Sequence, residues 1–135
     1  MSKNENNIIE TRISKICWED KRNGIIIAIV KPKMEVKTED LIEDYEVYKN
    51  NFHHPNRKII IDITEVGSTG KEARDYMAGP EGVYNYFEAV AFISYSKFNI
   101  GSILIHVAMK VYPLRKPTNI FYNKQDAINW LMSIK

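Results

Sequence analysis

Pro117-Thr118-Asn119-Ile120-Phe121-Tyr122-Asn123, running into Asp126-Ala127-Ile128-Asn129-Trp130-Leu131, decides the fold. It reads as a short apolar strand, a helix cap and a closing helix. Ala127, Trp130, Leu131 and Ile134 fall at i, i+3, i+4 and i+7, which gathers them into one stripe at 3.6 residues per turn. Asn123 is placed to cap that helix, with Asp126 three residues on as reciprocal partner and as an acid near the positive helix end.

Working back from this ending, strands and helices alternate. Phe98 to Tyr112 has a helical stripe of Ile100, Ile103, Leu104, Val107, Ala108 and Val111. Ala89-Val90-Ala91-Phe92-Ile93 reads as an interior strand. A helix from Lys71 is broken around Gly79-Pro80. Lys58-Ile59-Ile60-Ile61-Asp62-Ile63 is apolar on both faces, the pattern of a strand central in its sheet. The helix opened by Thr38 carries Glu39 and Asp40 in its first turn and a stripe of Leu41, Tyr45, Tyr48 and Phe52.

Before it lie Ile25 to Val30 and a strand read over Ile8 to Trp18, joined through Asn23-Gly24 as an antiparallel hairpin. The order is β-β-α-β-α-β-α-β-α, an α/β fold with a mixed central sheet, right-handed crossovers and helices packed against it. Met1 to Asn7 reads as a polar tail, neither signal nor transit peptide. Residues 8–135 form a single domain.

Composition agrees with one soluble unit. The 135 residues are 44% hydrophobic and 27% charged, with net charge +2 from 19 basic and 17 acidic side chains. The signs are interspersed, which does not favour nucleic acid. No run approaches the ~20 apolar residues that cross a bilayer, so membrane insertion is not expected. The lone Cys17 cannot form an internal disulfide, and the expected compartment is the cytoplasm.

The element order, the ending, and Ala73-Arg74-Asp75-Tyr76 on the helix after the central strand resemble the SpoIIAA-like proteins of the STAS superfamily, over roughly Ile8 to Ile134. Similarity is greatest to the bacterial branch that joins such a helix to a tryptophan-bearing last helix. That superfamily includes anti-sigma-factor antagonists and cytoplasmic domains of anion transporters, and its fold is related to the CRAL-TRIO lipid-binding domains. The resemblance implies a non-catalytic regulatory or protein-interaction domain. Through its CRAL-TRIO relatives it implies, as the alternative, a carrier or sensor of a small apolar or lipid ligand in a pocket between helix and sheet.

In the antagonists, the corresponding strand-to-helix loop carries an Asp-Ser-Ser-Gly motif whose serine is phosphorylated. Gly67-Ser68-Thr69-Gly70 lies in a comparable place, with glycine for the aspartate and charged Lys71-Glu72 following. Ser68 and Thr69 are therefore the candidate phosphorylation or switch residues, and Gly67, Gly70, Lys71 and Arg74 the candidate anion or partner contacts. A phosphate there meets unpaired N–H groups at a helix start. The other reading is purely structural, because Thr69 and Glu72 also match a capping box.

Other patterns carry less chemistry. Gly70-Lys71 resembles the tail of a P-loop, but Glu65 and Glu72 occupy its glycine and hydroxyl positions. His53 and His54 diverge on a helix end and suit its dipole better than a metal. Ser102, His106 and Lys110 align at i, i+4 and i+8 without a nucleophile elbow around the serine. No cofactor, metal or catalysis is expected. A homodimer is, because Ile13, Ile16 and Trp18 exceed what one buried face of an edge strand requires, and the aromatic segment Met77 to Phe87 offers a second surface.

Overall fold

The structure, a computed structural model, describes residues 7–95 and 116–134. In chain order they form β1 (Ile9–Glu10), β2 (Ser14–Asp20), β3 (Ile25–Val30), β4 (Glu35–Val36), α1 (Thr38–Asn51), β5 (Lys58–Asp62), β6 (Ser68–Thr69), α2 (Lys71–Ala78), a 3-10 turn (Val83–Tyr86), β7 (Ala89–Ile93), β8 (Thr118–Phe121) and α3 (Lys124–Ser133). The expected helix Phe98 to Tyr112 lies outside the described residues, as do Ser102, His106 and Lys110.

One six-stranded sheet runs β1-β2-β3-β5-β7-β8. The first three strands pair antiparallel, and β3, β5, β7 and β8 pair parallel, so the sheet is mixed as expected. The β2–β3 hairpin turns at Gly24, whose φ of 73° is the left-handed conformation glycine adopts without strain. β5 is central, flanked by β3 and β7, and its four residues Lys58 to Ile61 are buried on both faces.

The sheet separates two apolar cores. On one face Ile16, Ile26, Ile59, Ile61, Val90 and Phe92 meet Leu41, Tyr48 and Phe52 of α1 and its end, with Tyr84 and Phe87 from the 3-10 region. On the other, Ile25, Ile27, Ile60, Ala89, Ala91 and Ile93 lie under Ala127 and Leu131 of α3. Fully burying one such Ile, Leu or Phe stabilises the fold by roughly 1.5–3 kcal/mol. α3 starts as its sequence predicts. The Asn123 side chain accepts the Asp126 N–H at 2.8 Å and donates to its carboxylate at 3.0 Å.

The single strand expected over Ile8 to Trp18 is two. Thr11 turns the chain, its hydroxyl accepting the Ser14 N–H at 3.1 Å, and β1 folds back so that Ile9 faces Ile16. Ile13, Ile16 and Trp18 are all buried, and Trp18 packs on Phe52 with ring centroids 5.2 Å apart. The chain's own helices cover the side chains that suggested a homodimer. In the second suggested surface, Val83, Tyr84 and Phe87 likewise belong to the core.

Candidate functional site

The strand-to-helix loop leaves β5 at Asp62, whose Oδ1 accepts from both the Thr64 N–H and the Thr64 hydroxyl. It returns as β6, which pairs parallel with β4 in a two-residue ladder, Glu35 opposite Ser68 and Val36 opposite Thr69. The two connecting segments nearly touch. Gly67 and Ser68 donate their N–H groups to the Met34 carbonyl, and Lys33 donates to that of Glu65. A Cβ on Gly67 would lie 2.7 Å from that Met34 oxygen, so the close approach requires glycine. Lys33 accommodates it at φ 60°, an unusual backbone conformation for a lysine.

These facts separate the six candidate residues. Ser68 is exposed. Thr69 is 6% exposed and lines the interior, which keeps its hydroxyl from a kinase and narrows the switch reading to Ser68. The capping box of Thr69 and Glu72 does not form, because the N-cap of α2 is Gly70, with no side-chain cap bond. Lys71 pairs with Asp75 at 2.8 Å and Arg74 donates to the Thr69 carbonyl, so neither is aimed at a common anion. Gly70 borders a surface depression of about 190 Å³ with Glu35, Glu39, Glu72 and Lys37 at its sides. Three carboxylates against one ammonium favour a basic group over an anion.

Beneath this end, α1 carries two acids of opposite character. Arg12 clamps Asp40 through both oxygens, Nε to Oδ1 and Nη2 to Oδ2, each at 2.7 Å. The second oxygen also accepts the Lys37 N–H at 2.9 Å, closing the first turn of the helix. These hydrogen bonds, led by the one from Arg12, hold the Asp40 carboxyl below its usual range. Asp44, one turn on, is 4% exposed. Its Oδ2 accepts the Ser14 hydroxyl at 2.7 Å, and its Oδ1 is buried with no hydrogen-bond partner. Burial, only partly opposed by the neighbouring hydroxyls of Ser14 and Thr11, pushes Asp44 up to about 6.

Asp44 borders a cavity of about 30 Å³ between α1 and the sheet, lined also by Ser14, Tyr48, Thr69, Met77 and Tyr84 among aliphatic side chains. This acid was legible as a polar residue on the apolar stripe, at i+3 from Leu41 and i−4 from Tyr48. The stripe as read went through Tyr45 and passed over it.

The remaining candidates have structural partners. Nε2 of His53 meets the Lys49 carbonyl at 2.7 Å. His54 accepts the Asn56 N–H on Nδ1, so its Nε2 carries the proton that reaches the Arg22 carbonyl at 3.1 Å. Cys17 is half-buried against the α3-side core, and burial raises its thiol. No helix among the described residues is long and apolar enough to cross a membrane.

A family model described as a domain of unknown function (DUF7793) matches residues 18–135. Among solved structures, the chain is similar to an uncharacterised protein of the DUF3478 family with a SpoIIAA-like fold from Shewanella loihica PV-4. The TM-score is 0.54 at 19% identity, over 91% of this chain and 98% of that one. The fold is SpoIIAA-like, as its resemblance implied. No curated protein matches the chain.

Proposed function

The chain belongs to the DUF7793 family, and we propose that it is a non-catalytic regulatory domain that reads a protein partner with the β4–β6 end, switched by phosphorylation of Ser68. One observation carries this reading. Ser68 is exposed at the strand-to-helix loop and stands directly opposite Glu35 in a ladder only two residues long. A phosphoryl group there adds ~1.5–2 negative charges beside a carboxylate, on a face that already holds Glu39 and Glu72. Like charges directly opposite on paired strands are destabilising, so the modification weakens the contact between the 33–36 and 66–69 segments.

The domain acts without chemistry of its own. Among the described residues, the two acids with shifted protonation are occupied structurally, Asp40 in an ion pair and Asp44 inside the core. The partner contributes a basic group to the depression between α1 and α2, and the domain works in the cytoplasm. The alternative, a carrier of an apolar or lipid ligand, gains nothing from the α1-side cavity. Its 30 Å³ holds about two water molecules. The pocket expected beside Phe98 to Tyr112 lies outside the described residues.

Phosphopeptide mapping of the protein recovered from its source cells tests the proposal. A phosphoryl group on Ser68, absent from the Ser68→Ala form, is the expected result. An unmodified Ser68 under every growth condition would remove the switch.

A further inference from the structure

One buried polar atom at the cavity beside α1 has no hydrogen-bond partner among the described residues, and two tyrosines line the same cavity. Asp44 Oδ1 has no hydrogen-bond partner, although only 4% of the residue is exposed. The phenols of Tyr48 and Tyr84 are deeply buried, and the charge of Asp44 bears on both. Neither phenol makes a hydrogen bond to Asp44, and the cavity of about 30 Å³ is lined by all three residues.

We propose that this cavity is a built hydration site, in which about two water molecules link Asp44 Oδ1 to the hydroxyls of Tyr48 and Tyr84. A buried water needs two to four polar partners and at least ~10–15 Å³ of room for its centre, and the cavity meets both conditions. Its small volume excludes a lipid, a nucleotide or a sugar. No cation competes for the place, because the nearby Arg12 guanidinium is committed to both Asp40 oxygens and to the Glu35 carbonyl. Leaving the Asp44 oxygen dry forfeits its hydrogen bond, whereas a confined water restores it at a modest entropic cost. The waters add a polar link between α1 and the 3-10 turn through Tyr84, beside the direct ring contact of Tyr45 with Tyr86.

A high-resolution crystal structure of the full chain, paired with water-to-amide nuclear Overhauser spectra in solution, tests this. The expected result is ordered water within hydrogen-bond distance of Asp44 Oδ1 and of at least one phenol, with long-lived water cross-peaks to amides around residue 44. Tyr84→Phe should remove one water site and keep the fold, and Asp44→Leu should abolish the cross-peaks. A dry cavity, or a direct tyrosine-to-Asp44 hydrogen bond that closes it, would overturn the proposal. So would cross-peaks that persist unchanged in Asp44→Leu.

Discussion

Asp40 and Asp44 stand one turn apart on α1, and their surroundings drive their carboxyls in opposite directions. The hydrogen bond from Arg12 leads in holding Asp40 down, while burial pushes Asp44 up to about 6. The helix is therefore bound to the β1–β2 corner by one charged contact and one that prefers to be neutral.

For Asp44 the folded-state value lies above the unfolded one of about 3.9. Below about pH 4 both states hold the proton and the group costs nothing. As pH rises towards about 6 the unfolded chain ionises first, and folding stability falls by up to about 3 kcal/mol before levelling off. Asp44→Asn should flatten this decline and make the protein more stable than wild type at pH 7, by about 1–3 kcal/mol. Urea unfolding at a series of pH values measures it. A wild-type profile that is flat between pH 4 and 7 would refute the assignment.

Asp40 has the opposite sign. Its stabilisation is fully present above the unfolded carboxylate value and is lost as pH falls through its lowered folded value. Arg12→Gln should lower the midpoint of thermal unfolding at pH 7, with the gap to wild type closing in acid. An equal gap at pH 7 and at pH 2 would show that Arg12 acts through packing and not through Asp40.

Lys58 supplies a contact that replaces a helix cap. Its ammonium, buried on β5, donates to the Leu131 and Ile134 carbonyls at 3.0 Å each, where α3 ends. A cation at that end also meets the negative pole of the helix. Lys58→Met should cost about 2 kcal/mol and loosen the end of α3 first. Denaturant unfolding gives the energy, and hydrogen exchange at residues 131–134 locates it. Unchanged exchange there would contradict the capping role.

The closing helix and the central strands were legible because their signals are local. Asn123 begins α3 by a bond three residues long, and the runs 58–62 and 89–93 are too apolar to be anything but interior. Three features escaped. The turn at Thr11 has neither glycine nor proline, so Ile8 to Trp18 read as one strand and suggested surplus apolar residues for a dimer. β4 and β6 have two residues each, too few to show a period. Thr69 also fits a cap by its spacing to Glu72, but pairing with Val36 buries it and leaves Gly70 as cap. The last of these traces to a long-range contact overriding a short-range pattern.

Gly67 and Lys33 hold the proposed partner surface together through their backbones. Gly67→Ala should destabilise by about 1–3 kcal/mol, since the new Cβ meets backbone atoms of residues 33 and 34 that cannot move independently. Lys33→Gly should stabilise by about 1 kcal/mol through relief of its left-handed conformation. Hydrogen exchange at Ser68, whose N–H bonds the Met34 carbonyl, should rise in the first variant. No change in its exchange would mean that the two segments are held elsewhere.

Quantitative affinity enrichment with the Ser68→Ala and Ser68→Glu forms, alongside wild type, tests most directly whether the β4–β6 end is a switched partner surface. The account predicts at least one protein partner whose recovery differs several-fold between the two variants. It also predicts that charge reversal of Glu35, Glu39 or Glu72 abolishes recovery of that same partner. Identical partner recovery from all three forms, with each variant folded as judged by its unfolding midpoint, would contradict it.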